Sequence, residues 1–300
     1  MKRIFSVIVV LIIFLATLSS CNNSKREAKI YYEKGLVQLD SNEYEQAIVS
    51  FSTAIALDSN FTDAYFKRGE LHSNKGERDL AFTDYSSVIR LDSTNVSAYI
   101  KRGGVSDVSS SIRDYSSVIR LDSTNAFAYY KRANALRWTL ERRSAISDYT
   151  SAIKLKPDYA DAYFGRAKAY RFIGEFQSSI SDYNSVIRLD PTNISAYFER
   201  GQVYLWAEEP RSAVNDFNYV ISLIPDNEEY IFERGMAYSS LEDHRSAISD
   251  YTSYIRLKSN DNLAYVFRAD EYSSLGDYRS AISDYTSAIR LDPDYANAYY

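Results

Sequence analysis

The sequence predicts an all-α solenoid of antiparallel helix pairs, and three observations carry the prediction. An arginine recurs at Arg68, Arg102, Arg132, Arg166, Arg200, Arg234 and Arg268, in steps of 34, 30, 34, 34, 34 and 34 residues. A fixed period of this length marks a chain built from one repeated supersecondary unit. Around each arginine, small and large apolar residues return at helical spacing, break, and return again, which reads as two antiparallel helices per unit. The same residue types also fill the same places. The fourth position is Tyr65, Tyr99, Tyr129, Tyr163, Tyr197, Ile231 and Tyr265, and the eighth is glycine or alanine throughout. The twentieth is alanine or serine, and the twenty-fourth is a ring: Phe51, Tyr85, Tyr115, Tyr149, Tyr183, Phe217, Tyr251 and Tyr285. A solenoid presents a continuous surface, so function is sought on a face and not in a cleft.

Along the chain, Met1–Arg3 is a short basic start, Ile4–Leu18 is almost wholly apolar, and Leu18-Ser19-Ser20-Cys21 follows. The apolar run is short for a membrane span. Residues 1–20 resemble a bacterial lipoprotein signal peptide, whose terminal box ends in the cysteine that carries the lipid. The resemblance makes Cys21, the single cysteine of the chain, the lipidation site. An ordinary secretory peptide or an uncleaved anchor is the alternative reading. Residues 21–27 form a polar tether. Asn22 stands where such lipoproteins carry an aspartate for retention at the inner membrane, which favours the outer membrane.

The array follows over 28–295, as units 28–61, 62–95, 96–125, 126–159, 160–193, 194–227, 228–261 and 262–295, with 296–300 the start of an incomplete ninth. The third unit lacks four residues of its first helix, about one turn or roughly 6 Å. What remains is Gly103-Gly104-Val105-Ser106-Asp107, which predicts a short or frayed helix and a soft point. Asp84–Asn95 and Asp114–Asn125 are identical, as are Ser144–Ile153 and Ser280–Ile289, so second helices are near copies of one scaffold element. No polar capping helix follows the eighth unit, although arrays normally carry one. This predicts a truncated sequence or a cover supplied by another chain or domain.

The pattern of an aromatic, a small residue, alanine, an aromatic and a closing proline (Pro157, Pro191, Pro225, Pro293) resembles the tetratricopeptide repeat, TPR. The resemblance implies a right-handed superhelix whose first helices line a concave groove for a protein or peptide. Position seven departs from the family's commoner leucine. With a hinge near position fifteen, positions seven and twenty-three face each other. This pairs Arg68 with Asp84, Arg102 with Asp114, Arg132 with Asp148, Arg166 with Asp182, Arg200 with Asp216, Arg234 with Asp250 and Arg268 with Asp284, as structural bridges. In the groove, position thirteen carries Trp138, Phe172 and Trp206 where flanking units have small polar residues. Position twelve adds Arg137, Arg171 and Leu205, and position nine adds Asn134, Lys168 and Gln202. Aromatics and arginine dominate binding hot spots, so these nine residues are the candidate protein-binding set. Position five is apolar throughout and reads as packing. Position six, with Lys67, Lys101 and Lys131 and then Glu199 and Glu233, reads as a solvated face. The lysine, asparagine and arginine set by which some TPR proteins clamp a C-terminal carboxylate is not matched.

The net charge of −5 with interspersed signs gives no basic stripe for nucleic acid. His72 falls at a core position and His244 at a solvated turn, in units far apart. Neither a phosphate loop, a nucleophile–base set nor zinc spacing is found, so no catalytic residue, metal or cofactor is expected. The sequence predicts a non-enzymatic interaction scaffold of the bacterial envelope, touching the membrane only through its lipid. The alternative is the recognition region of a longer envelope enzyme whose catalytic domain lies beyond residue 300.

Overall fold

A computed structural model describes residues 23–293. The expected signal segment 1–20, Cys21 and the start of a ninth unit at 296–300 lie outside the described residues. Every element described is a helix. The chain divides into two compact units, Met1–Leu140 and Glu141–Tyr300. The first contains α1 (residues 23–40), α2 (Tyr44–Leu57), α3 (Thr62–Asn74), α4 (Arg78–Leu91), α5 (Val96–Val105), α6 (Val108–Leu121) and α7 (Ala126–Arg137). The second contains α8 (Arg142–Leu155), α9 (Ala160–Phe172), α10 (Phe176–Leu189), α11 (Ile194–Trp206), α12 (Pro210–Leu223), α13 (Glu228–Ser240), α14 (His244–Leu257), α15 (Asn262–Ser274) and α16 (Tyr278–Leu291). From α2 to α7, and again from α8 to α16, each helix packs on the next. Each unit is thus a solenoid of helix pairs. Residues 23–27, part of the polar stretch expected as a tether, are helical and begin α1.

The core forms where the repeated positions meet. Position twenty is buried as Ala47, Ala81, Ala145, Ala213, Ala247 and Ala281, and position twenty-four as Phe51, Tyr85, Tyr115, Tyr149, Tyr183, Phe217 and Tyr251. Position five lays its ring on position twenty-four of the same pair: Phe66 on Tyr85 at 5.7 Å, Phe164 on Tyr183 at 5.5 Å, Phe198 on Phe217 at 5.9 Å, Phe232 on Tyr251 at 5.7 Å. Position eight must be small because this ring lies against it. A Cβ on Gly201 would stand 2.7 Å from the Phe217 ring. Where position twenty is serine, the hydroxyl is satisfied by the opposite helix: Ser179 Oγ donates to the Ala167 carbonyl at 2.9 Å, and Ser111 Oγ to that of Gly103.

Turns between pairs are written in the Leu-Asp-X-Thr-Asn segments. Asp92, Asp122 and Asp190 each accept from the backbone N–H and hydroxyl of the threonine two residues on. Asn95, Asn125 and Asn193 then cap the next helix through their side chains, as preferred N-cap residues do. Turns within pairs place position fifteen in the left-handed region, at Asn42, Gly76, Gly174, Glu208, Glu242 and Gly276. Leu140 holds that place in the α7–α8 turn without a positive φ. Leucine is poorly suited to left-handed backbone, and the chain turns instead through Trp138 and Thr139, whose N–H groups donate to Ala135 and Leu136. The boundary between the two compact units falls at this turn.

α5 is short, as expected, at 10 residues, yet it runs through both glycines. Its end is tied: Arg78 donates to the carbonyls of Val105 (3.2 Å) and Ser106 (3.4 Å), and Ser106 Oγ to that of Arg102 (2.6 Å).

Candidate protein-binding surface

The recurrent arginine organises each pair before any site is considered. Arg166, Arg200, Arg234 and Arg268, and in the first unit Arg68 and Arg102, each donate from Nε and Nη2 to the two carboxylate oxygens of their partner aspartate, at 2.6–3.0 Å. Arg132 and Asp148 fall on either side of the boundary between the two units. The remaining Nη1 reaches back to position twenty-five of the preceding pair: Ser52, Ser86, Ser116, Thr150, Asn184, Asn218 and Thr252 accept from the seven arginines in turn. The sequence reading missed this third contact, although position twenty-five is a small acceptor every time. Each of those six arginines therefore binds two helices of one pair to the second helix of the pair before. From α3 onward the network recurs within each compact unit, and it belongs to the scaffold.

What does not recur is the surface at the ends of α9 and α11. Phe172 and Trp206, the last residues of those helices, are 56% and 50% exposed. The Arg171 guanidinium lies between them, 5.3 Å from the Phe172 ring and 5.0 Å from that of Trp206. Arg142 covers Phe172 at 5.5 Å, and the Phe176 ring lies 6.3 Å from Trp206. Arg171 is fixed from below, where Nη1 donates to Glu199 at 2.9 Å and to Gln202 at 3.4 Å. Lys168 also bonds Glu199, at 2.5 Å, and Gln202 donates to Glu233 at 2.8 Å. Alternating cations and rings are mutually attractive through the ring quadrupole, so the rings stand exposed but ordered.

The other candidate residues are placed differently. Leu205 packs against the core cluster around Val214 and Phe217 and forms wall, not anchor. In the first unit, Trp138 caps α7 and is 77% exposed, with Arg137 over its ring at 5.2 Å; Asn134 is half-buried on α7. Position six is not the solvated face expected. Lys67 and Lys101 both hold Glu70, while Glu199 and Glu233 are drawn into the network just described. Burial raises the Glu233 carboxyl above its ordinary value, against the hydrogen bond from Gln202. His244 is also not free in solvent. It opens α14 and its Nδ1 meets the buried Glu271 at 2.7 Å, whose other oxygen accepts from Ser239 at 2.5 Å. Helical spacing alone put His244 at a turn, and only the neighbouring pair supplies its acid. His72 Nδ1 similarly meets Glu77 at 2.5 Å. Among the described residues no His/Cys/Asp/Glu group is arranged to hold a metal, and no helix is long and apolar enough to cross a membrane.

Stacked helix pairs with this positional pattern define a TPR array, the fold of a protein–protein interaction scaffold. Models of the tetratricopeptide repeat match residues 228–261 and 269–300. The ETO1 C-terminal domain model matches residues 3–201, most of the chain, and the chain belongs to that family. Among solved structures, a MamA protein shares 30% identity over 54% of this chain and 90% of its own, with a TM-score of 0.52. YrrB, described as a TPR protein with an unusual peptide-binding site, shares 20% identity over 62% of this chain and 95% of its own, TM-score 0.56. The C-terminal part of a TPR repeat-containing protein from Cytophaga hutchinsonii shares 20% over 89% and 98%, TM-score 0.56. No curated protein sequence matches the chain.

Proposed function

We propose that the chain is a non-catalytic docking scaffold, tethered to the bacterial envelope through lipid on Cys21, and that a partner polypeptide anchors on the Phe172–Arg171–Trp206 surface of its second compact unit. One observation carries the docking site. Two large rings stand half-exposed around a guanidinium already fixed by Glu199 and Gln202, while the same position is Ser240 and Ser274 in the later pairs. Rigid aromatic and arginine groups lose little freedom when bound, which suits them to anchor a partner. The lipid rests on the sequence around Cys21, and Asn22 supports outer-membrane placement.

Capture from detergent-solubilised native membranes tests the site. The full chain should retain a partner that a Phe172→Ala/Trp206→Ala chain of unchanged helicity loses. A partner held equally by both would move the site off this surface. Metabolic labelling with an alkyne fatty acid tests the tether: label should follow the chain and vanish in Cys21→Ser.

A further inference from the structure

In the first compact unit, the first helices of successive pairs end in different chemistry. α1 runs out through Asp40-Ser41-Asn42-Glu43, α3 through Asn74-Lys75-Gly76-Glu77 and α5 through Ser106-Asp107, all polar. α7 runs out through Trp138-Thr139-Leu140, and Leu140 closes the unit. Trp138 is 77% exposed and Leu140 92%, the latter more than any other large apolar side chain among the described residues. The fold asks for neither. Position thirteen is Asp40 and Asn74 in the earlier pairs, and Leu140 replaces the asparagine, glycine or glutamate that suits left-handed backbone at the other turns. The acid that follows, Glu141, recurs at its position in every pair as Glu or Asp and belongs to the scaffold.

The polar groups of this turn are spent inward. The N–H of Trp138 donates to the Ala135 carbonyl at 3.2 Å, and that of Thr139 to Leu136 at 2.9 Å. The Thr139 hydroxyl also donates to Leu136, at 2.7 Å. Two apolar side chains are left standing outward on a turn whose donors are satisfied, so moving the tip into a medium poor in water carries a small desolvation cost. The charges around it are cationic. The Arg137 guanidinium lies 5.2 Å from the Trp138 ring, its only ring or cation contact among the described residues, and Arg142 and Arg143 follow Leu140 within three residues in sequence. The Phe172–Arg171–Trp206 surface has neighbouring side chains to form a wall against a polypeptide. The Trp138–Leu140 tip is convex and has none, which suits a medium that closes around it. Tryptophan, leucine and arginine side by side match the boundary between lipid headgroups and acyl chains, where the ring and aliphatic groups enter and guanidinium meets phosphate.

We propose that the Trp138–Leu140 turn is a bilayer contact, in which the indole and the leucine side chain enter the interface of an anionic membrane and the adjacent arginines meet lipid phosphates. It is separate from the lipid on Cys21 and from the polypeptide surface of the second unit, and it is tested without either. Two side chains attach weakly by themselves, so the contact orients a chain already near the membrane.

The test uses the full chain carrying Cys21→Ser and Trp206→Phe, which leaves Trp138 as the single tryptophan. It is titrated with vesicles of phosphatidylethanolamine and phosphatidylglycerol, made with plain or dibrominated acyl chains, and flotation measures attachment in parallel. Trp138 emission should move to the blue on plain vesicles and be quenched on brominated ones. Leu140→Asn should lower the insertion constant about tenfold, the factor that burial of one leucine side chain supplies. Melting should not change, because asparagine holds the same place at Asn42. Phosphatidylcholine in place of phosphatidylglycerol should weaken insertion severalfold, through loss of the attraction between arginine and anionic headgroups. An unquenched Trp138 would overturn the proposal whether or not the chain floats with the vesicles: attachment through residues 1–21 alone, or a tip that seats in a polypeptide, gives that result. Equal quenching in Leu140→Asn would overturn it as well.

Discussion

Breaking one arginine–aspartate bridge should cost more than deleting the whole bridge. Asp216 is 5% exposed and receives Arg200 Nε at 2.8 Å and Nη2 at 2.6 Å. Burial raises its pKa in spite of those two bonds, which shows the carboxylate held there against a desolvation cost. Asp216→Ala strands a guanidinium whose side chain is 15% exposed, and Arg200→Leu strands the carboxylate while also losing the bond to Asn184. Each single change should destabilise by about 3–5 kcal/mol, the scale for an unpaired buried charge. Arg200→Leu/Asp216→Ala removes both charges and places apolar volume at position seven. Replacing a buried pair by packed apolar groups is often close to neutral, so the double variant should lie within about 1–2 kcal/mol of wild type. Urea unfolding by circular dichroism measures the cycle, with the denaturant slope checked in every variant because long arrays lose cooperativity. Additive losses, with the double variant worse than either single, would refute a bridge kept for geometry and show instead two independent stabilising contacts.

The two glycines of α5 should answer oppositely to alanine. Nothing lies within 4 Å of a Cβ on Gly104, so Gly104→Ala should stabilise by about 1 kcal/mol from helix propensity, whereas a Cβ on Gly103 would stand 3.0 Å from the Tyr115 ring and Gly103→Ala should destabilise; thermal melts distinguish them. Glu233→Gln should stabilise the chain at neutral pH. The folded pKa of Glu233 is raised above its ordinary 4.5, so the protonated carboxyl is favoured in the fold. Wild-type stability therefore gains as pH falls from above the folded pKa to below the unfolded one. The advantage of glutamine should accordingly shrink over that window, and an advantage independent of pH would exclude titration of Glu233 as its source. Arg171→Ala should weaken partner capture without lowering stability by more than about 1–2 kcal/mol, as expected for a partly exposed cation–π and ion-pair group.

Much of the fold was legible because repetition multiplies weak signals. One tyrosine at a helical spacing says little, but Tyr85, Tyr149, Tyr183 and Tyr251 at one position, each facing a small residue, specify a packing layer. The bridges were legible for the same reason. The misreadings came where a residue is decided by the next pair and not by its own. His244 reads as a solvated turn residue from its own pair because its acid, Glu271, lies 27 residues away. Lys67 and Lys101 read as surface because the glutamate between them is in another register. Leu205 and Trp206 are adjacent in sequence, yet one packs inward and the other outward, which periodicity resolves only to within a residue. Position fifteen was legible in principle: asparagine, glycine and glutamate recur there, and Leu140 is the residue least suited to left-handed backbone.

The repeat also separates scaffold from site without reference to any other protein. Every pair faces the same packing problem, so a residue that answers it should recur from pair to pair, as the position-seven arginine and its acceptor at position twenty-five do. A residue type that appears in only a few pairs answers some other demand. By that criterion Phe172 and Trp206 stand out, since Ser240 and Ser274 occupy the same position and their pairs pack as well. Phe172→Ser, which copies the residue of the later pairs into this place, should therefore leave folding intact while removing partner capture, which no core substitution can do.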